Sequence, residues 1–134
     1  MSENLFVSVK IPDIFIDMYN LSEKEHILHT QTKNLLLRCR GVVHSDHPNA
    51  EIILYGSQAR GQAQPESDVD LLVLLDGEVP AAAKRRIHDL LYDIALAQDV
   101  VISSIITSSR KWNLPISQAT PLYQIIQKEG IKVA

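Results

Sequence analysis

The chain has little of several features that mark other classes of protein. It holds one cysteine, Cys39, among 134 residues, so no disulfide can form within it, and its apolar helical setting favours a buried structural thiol. No apolar run approaches the ~20 residues that cross a bilayer, and the opening MSENLFVSVK lacks the layout of a secretory signal. These absences predict a protein without a membrane span, with the cytoplasm as its compartment.

Positive charge is also scarce. The 13 Lys and Arg are outnumbered by 16 Asp and Glu, the formal net charge is −3, and the chain has no basic block. Non-specific binding of nucleic acid leaves a footprint of clustered positive charge, so a template-directed polymerase is not favoured, and nucleic acid enters only as an acceptor. The remaining composition, 46% hydrophobic and 22% charged, is ordinary for one globular domain.

Hydrophobic periodicity predicts alternating helices and strands. Helices are expected over 23–40 with a capping box at Ser22 and Glu25, over 80–97, and from Pro121, capped by Thr120, to Gly130. Strands are expected over 5–11, 51–55, 71–75 and 100–106, and a loop over 44–49. The run LLVLL at 71–75 is apolar at every position, which predicts a central strand buried on both faces.

This order of elements predicts an α/β (α+β) fold, a small mixed β-sheet flanked by helices. We expect a single domain over 1–134, with an N-terminal helical extension over 1–45 and a core over 50–134.

The run 55–76, YGSQARGQAQPESDVDLLVLLD, carries the chemistry. Gly56 and Ser57 follow an apolar stretch, and ten residues separate Ser57 from Asp68 and Asp70, which open the next one. Positions two apart in a strand point to the same face, so the two carboxylates are expected to project together. Carboxylates that close repel each other, and a divalent cation removes the conflict. Hard oxygen ligands with few protein groups suit magnesium, which takes water and phosphate oxygens for the rest.

The Gly-Ser turn complements the carboxylates. Gly56 has no side chain, so a phosphate can approach the backbone there. If Ser57 opens a short helix, its free amides and its dipole also favour an anion. One half of the run would then hold a triphosphate, and the other half the metal that bridges it.

Both halves together resemble the signature of the DNA polymerase beta-like nucleotidyltransferase superfamily, in particular its small bacterial minimal nucleotidyltransferases, the antitoxin-type MNT domains. That signature is Gly-Ser, about ten residues, and then Asp-x-Asp, and small members read roughly GSRARG followed by SDxDLLV. Here GSQARG from Gly56 and SDVDLLV from Ser67 match both halves and the spacing between them.

The resemblance implies a magnesium-dependent nucleotidyltransferase that moves a nucleoside monophosphate, AMP in the first place, from ATP or another nucleoside triphosphate to a hydroxyl of a protein or small molecule. It implies Asp68 and Asp70 as catalytic and metal-binding residues, and Gly56 and Ser57 as phosphate-binding residues. Arg60 would support the loop or the nucleotide.

Some members of that family are antitoxins that act on a helical HEPN-type toxin partner. An alternative interpretation of this chain is therefore a catalytically weak or degenerate nucleotide-binding or antitoxin module that pairs with such a partner. Neither interpretation specifies the acceptor or the oligomeric state, and a homo-oligomer stays open.

The family commonly has a third carboxylate on the third strand, and two positions compete for it here. Alignment by the start of the strand gives Asp99, and alignment by its end gives Ser103; alternation would place both on one face. A carboxylate at this place often helps to activate the attacking hydroxyl as a general base. An Asp99 that reaches the aspartate pair would favour catalysis, whereas an Asp99 exposed at the junction of helix and strand, with only Ser103 facing the pair, would favour the binding module.

A weaker metal-like cluster is formed by His44, Asp46 and His47, just before Pro48. The pattern is short and has no further matching ligands, so a solvated loop is expected there rather than a metal site.

Overall fold

The computed structural model describes residues 18–134, so the strand expected over 5–11 lies outside the described residues. The chain forms, in order, β1 Tyr19–Asn20, α1 Leu21–Lys24, a 3-10 turn Glu25–Ile27, α2 Thr30–Asp46, β2 Glu51–Tyr55, β3 Val69–Leu75, α3 Ala81–Ala97, β4 Ile102–Ser108, α4 Ser109–Trp112, α5 Pro115–Gln118, α6 Pro121–Glu129 and β5 Ile131–Lys132.

These strands form one mixed sheet in the order β1-β5-β2-β3-β4. β2 is antiparallel to both β3 and β5, whereas β1 runs parallel to β5 and β4 runs parallel to β3. Because β2 and β3 are antiparallel, the end of β2 and the start of β3 meet at the same end of the sheet. The predicted α/β class, a small mixed sheet flanked by helices, is confirmed.

β3 is the centre of the core, as its unbroken apolar run predicts. It lies between β2 and β4, and every residue of Leu71–Leu75 is at most 4% exposed. Its alternate residues belong to two hydrophobic clusters, one on each side of the sheet. Leu71 packs with buried residues of α2 and α3. Leu72 packs with Trp112 and buried residues of α6. We call these two sides of the sheet the α2–α3 face and the α6 face.

Helix α6 begins and ends where the sequence predicts. Pro121 is its first residue, and the Thr120 hydroxyl accepts a hydrogen bond from the Tyr123 backbone N–H at 3.2 Å. The helix ends at Glu129, and the following Gly130 donates its N–H to the Ile126 carbonyl at 2.8 Å. Ile126 is fully buried against β2 and β3, which fixes α6 on the sheet and sets the position of its last residue.

The helix expected over 23–40 is wrong in its bounds, because the chain breaks at Leu28 and His29, both of which adopt extended backbone. Long-range contacts explain the break. Leu28 packs against the core, the His29 ring donates to the Ala63 carbonyl at 2.7 Å, and Ile27 lies against Gly61. A continuous helix would carry these side chains away from the 61–63 loop.

The remaining bounds of this region also differ from expectation. The capping contact lies two residues earlier, where the Asn20 N–H donates to the Glu23 carboxylate at 2.8 Å. Helix α2 passes Gly41 and ends at Asp46, so the residues expected as a loop over 44–49 begin within a helix. Burial of Val43 gives the longer helix its support, since that side chain is 0% exposed.

The structure also bears on two expectations from the sequence, the buried thiol of Cys39 and the lack of a membrane-spanning helix. Cys39 is fully buried, and burial raises the pKa of its thiol to about 12, so the predicted buried structural thiol is confirmed. None of the helices in residues 18–134 combines the length and apolar character that a bilayer crossing requires.

Candidate active site

The turn after β2 brings Gly56 against Asp70. Gly56 adopts a left-handed backbone with φ +81°, which favours glycine, and a Cβ placed there would overlap the Oδ2 atom of Asp70. The two residues come from separate strands that meet at one end of the sheet. A side chain at Gly56 would therefore displace the carboxylate beside it, in addition to straining the turn.

The Gly-Ser loop is held by turns rather than by a helix. The Arg60 N–H donates to the Gly56 carbonyl at 3.2 Å, and the Gln62 N–H donates to the Ser57 carbonyl at 3.1 Å. No helix begins at Ser57 in the described chain, so no helix dipole favours an anion at this turn. Phosphate binding here would depend on loop amides and on side chains.

Gln58 ties this loop to the segment that leads into Asp68. Its side chain is buried, and its amide donates to the carbonyls of Gln64 and Ser67, each at 3.1 Å. Its carbonyl oxygen accepts from the Thr32 hydroxyl at 3.2 Å. Sequence reasoning missed this role, and the available signal was that Gln58 stands where the small relatives have arginine.

Asp68 and Asp70 lie at the start of β3. The strand begins at Val69, so Asp68 is exposed just before it, while Asp70 is half-buried and pairs in register with Tyr55 and Ser103. Burial raises the pKa of Asp70; the nearby carboxylate of Asp68 and, more weakly, that of Glu129 raise it further, and Arg60 opposes them. This excess of negative charge is the setting that a divalent cation would relieve.

Glu129 is the residue that sequence reasoning missed. Its Oε2 atom accepts the Gly56 backbone N–H at 2.8 Å, and the Arg60 Nη1 atom lies 3.1 Å from Oε1 and 3.0 Å from Oε2. Only the tertiary structure brings Glu129 here, since 73 residues separate it from Gly56. Two of the three residues that the sequence assigns to phosphate binding or loop support, Gly56 and Arg60, are therefore in contact with an internal carboxylate.

The expectation that Asp99 and Ser103 share one strand face is wrong. β4 begins at Ile102, and Asp99 lies in the turn after α3 with φ 55°, so strand alternation does not extend back to it. Asp99 lines a cavity of about 450 Å³ together with Val69, whose side chain belongs to the α2–α3 face. Ser103 is the direct neighbour of Asp70 across β3 and β4.

The cluster at the end of α2 is engaged elsewhere. The His44 ring donates to the Ala50 carbonyl at 2.9 Å, and Asp46 pairs with Arg86. Across residues 18–134, no group of three or more His, Cys, Asp or Glu side chains is arranged to hold a metal ion. Asp68 and Asp70 supply two hard oxygen ligands, which fits a magnesium ion that completes its shell with water and phosphate.

Substitution of Asp99 tests its separation from the site. If the aspartate pair binds a magnesium nucleotide, we expect Asp99→Asn to leave that affinity within about twofold, and to leave stability within about 0.5 kcal/mol because asparagine also tolerates the left-handed backbone. Titration calorimetry and urea unfolding measure the two quantities. A large loss of affinity with unchanged stability would contradict the placement of Asp99 outside the site.

Comparison with known proteins adds an independent finding. The nucleotidyltransferase domain family matches residues 36–133. A candidate protein adenylyltransferase of Methanocaldococcus jannaschii is 40% identical over 55 residues, which are 41% of this chain and 56% of that protein, so the match spans little more than half of the relative's length. A crystal structure of a toxin–antitoxin with AMP-PNP superposes on 76% of this chain and 72% of its own at a TM-score of 0.50 and 18% identity, which shows a likeness of fold.

The family match runs over most of the described chain. It includes the Gly56 turn, both aspartates at the start of β3, and helix α6 with Glu129. The superfamily resemblance carried by the Gly-Ser and Asp-x-Asp halves is thereby confirmed. This chain belongs to the nucleotidyltransferase domain family.

Proposed function

We propose that this protein transfers a nucleoside monophosphate, AMP in the first place, from a magnesium-bound nucleoside triphosphate to a hydroxyl of a protein or small molecule in the cytoplasm. The observation that carries the proposal is the contact between Gly56 and Asp70. On one side of this contact is a turn without a side chain, which a phosphate can approach. On the other side is a carboxylate pair with an excess of negative charge.

In the proposed reaction, the oxygen of the acceptor hydroxyl forms a bond to the α-phosphorus and loses its proton to solvent, and the bond from that phosphorus to the bridging oxygen breaks, releasing pyrophosphate. Asp68 and Asp70 would hold the magnesium, which neutralises charge on the phosphates when bound. Gly56 and Ser57 would hold the phosphate tail through the turn. Positioning and electrostatics account for most of the acceleration in such a site.

A protein acceptor is supported by the relative from Methanocaldococcus jannaschii, which is a candidate protein adenylyltransferase. The site of this chain is shallow enough to accept one, because Asp68 and Arg60 are both exposed. The cavity beside Asp99 lies on the α2–α3 face and does not include the aspartate pair, so it is not the acceptor pocket of this proposal.

A second candidate function is favoured by Ser103. It stands beside Asp70, and a serine hydroxyl is not a base near neutral pH, so this position offers no carboxylate to take the acceptor proton. A serine where the family commonly has a carboxylate fits a weak or degenerate nucleotide-binding module, which would pair with a helical HEPN-type partner. The two candidates share the nucleotide site and differ in whether a group is transferred.

Titration calorimetry tests the shared site. The ligand is an ATP analogue with a methylene group between the α- and β-phosphorus atoms, which blocks transfer. We expect wild-type protein to bind it with magnesium and to lose at least about tenfold in affinity with EDTA or in the Asp68→Asn, Asp70→Asn double variant, because two ligands of the cation are lost.

The matched control is the Asp76→Asn, Asp89→Asn double variant, which removes the same charge from two exposed positions away from the turn. It should bind as wild type does. Equal, negligible heat from wild type and the site variant would contradict the nucleotide site. Where binding is present, ATP labelled at the α-phosphate separates the two candidates, since only the transferase leaves label on an acceptor.

A further inference from the structure

Glu129 occupies the Gly56 N–H, which the proposed function assigns to phosphate, and the neighbouring Arg60 guanidinium. Its carboxylate accepts the Gly56 N–H at 2.8 Å and binds Arg60 through both oxygens, at 3.0 Å and 3.1 Å. A backbone N–H and a guanidinium are the donors that a phosphate oxygen would take at this turn. The carboxylate has the same charge sign and acceptor chemistry as a phosphate oxygen.

Gly56 cannot donate a hydrogen bond to both the Glu129 carboxylate and a phosphate. Its single N–H is directed at Oε2 of Glu129, so a phosphate oxygen that takes this hydrogen bond must displace the carboxylate. Charge adds to the conflict, since the Glu129 carboxylate holds the Gly56 N–H and the Asp70 carboxylate lies beside the same residue. A triphosphate placed among three carboxylates would increase the repulsion.

The position of Glu129 in its helix gives an independent reason to regard the contact as a specific one. Glu129 is the last residue of α6, a nine-residue helix, and the carbonyl end of a helix disfavours a negative charge. The helix thus offers the carboxylate no stabilisation, and Gly56 and Arg60 supply the compensating donors. The side chains of Arg60 and Glu129 are 44% and 20% exposed, so their ion pair lies at the surface, where a ligand can reach it.

We propose that Glu129 is a further determinant of nucleotide affinity: an internal anion that holds Gly56 and Arg60 in the free protein and that the triphosphate displaces. This inference rests on the proposed function. Displacement selects for a ligand that brings its own cation, because the magnesium that accompanies a triphosphate offsets the repulsion from Asp68 and Asp70. Inorganic phosphate without a cation should compete poorly with Glu129.

The substitution Glu129→Gln tests the proposal. The amide keeps the size of the side chain but is a weaker acceptor than a carboxylate, by roughly half. We expect the variant to bind the magnesium complex of the methylene ATP analogue about fivefold more tightly than wild type. The control Glu78→Gln removes the same charge from an exposed position at the far end of β3 and should leave affinity unchanged.

The outcomes separate the inference from the function on which it rests. If wild type binds the magnesium complex and Glu129→Gln binds equally or more weakly, the internal-anion role is overturned and the proposed function stands; weaker binding would make Glu129 a positioning residue for Arg60. If neither protein binds, the nucleotide function fails, and the inference with it.

A structural readout checks the contact without nucleotide. In an amide NMR spectrum of the free protein, the Gly56 N–H resonance is expected to shift upfield in Glu129→Gln, because its hydrogen-bond acceptor loses charge. The amide of Gly77, a positive-φ glycine in the turn after β3, should not move. An unchanged Gly56 resonance would contradict the hydrogen bond on which the proposal depends.

Discussion

Gly56→Ala is expected to weaken the proposed magnesium-dependent nucleotide binding strongly, whereas Gly77→Ala should leave it intact. Both glycines adopt a left-handed backbone, with φ +81° at Gly56 and +69° at Gly77. An alanine in that conformation costs about 1–2 kcal/mol of stability in each case. The positions differ in their surroundings: a Cβ at Gly56 overlaps Oδ2 of Asp70, and a Cβ at Gly77 meets nothing within 4 Å.

The added methyl group at Gly56 must therefore displace the Asp70 carboxylate or the turn itself. Either movement separates the amide that we propose for phosphate binding from the carboxylate that we propose for metal binding. We expect the affinity for the magnesium complex of the methylene ATP analogue to fall by at least about a hundredfold. Small misplacements of positioned groups reduce the efficiency of a site by about this factor. The stability loss in Gly56→Ala should also exceed that of Gly77→Ala.

Urea unfolding and titration calorimetry measure the two effects on the same preparations. Gly77→Ala controls for the backbone strain, so the difference between the variants isolates the contact with Asp70. Similar nucleotide affinities in the two variants, with both folded, would contradict the requirement for a bare backbone beside Asp70.

The second large effect is expected in α6, where Ile126→Ala should destabilise the protein by about 2–5 kcal/mol. Ile126 is 0% exposed and packs with Ile53 and Leu72 on the α6 face. Truncation removes buried methyl groups and leaves a cavity under the helix. Because α6 carries Glu129, looser packing also weakens the contact between that carboxylate and Gly56.

Ile125→Ala is the matched control for this prediction. Ile125 is the preceding residue of the same helix and is 46% exposed, so the substitution changes helix propensity equally while removing much less buried surface. We expect it to change stability by less than about 1 kcal/mol. Equal losses of unfolding free energy in the two variants would show that Ile126 does not anchor α6 on the sheet.

The predictions from sequence succeed where the pattern is local and strong. Strand β2 has the expected bounds of 51–55, and the helix expected over 80–97 is observed as Ala81–Ala97. The Thr120 cap and Pro121 start of α6 are also confirmed. In these segments, periodicity, capping and turn chemistry all favour the same structure, so local physics is sufficient.

The failures have two causes. The apolar stripe around Ile27 and Leu28 suits a continuous helix, but these side chains pack against the 61–63 loop and the core, contacts that the neighbouring residues do not indicate. At Asp99 the cause is a local turn, whose positive φ delays the start of β4 and removes the expected alternation with Ser103.

By itself, the sequence determined the family signature, the central buried strand, and the aspartate pair placed near a glycine turn. The reason is that each of these depends on residue type and spacing within 22 residues, 55–76. The tertiary structure alone decided that Ser103 rather than Asp99 borders Asp70, and that Glu129 holds Gly56 and Arg60. Those contacts join α6 and β4 to the turn through the packing of the whole sheet, and no spacing along the chain encodes them.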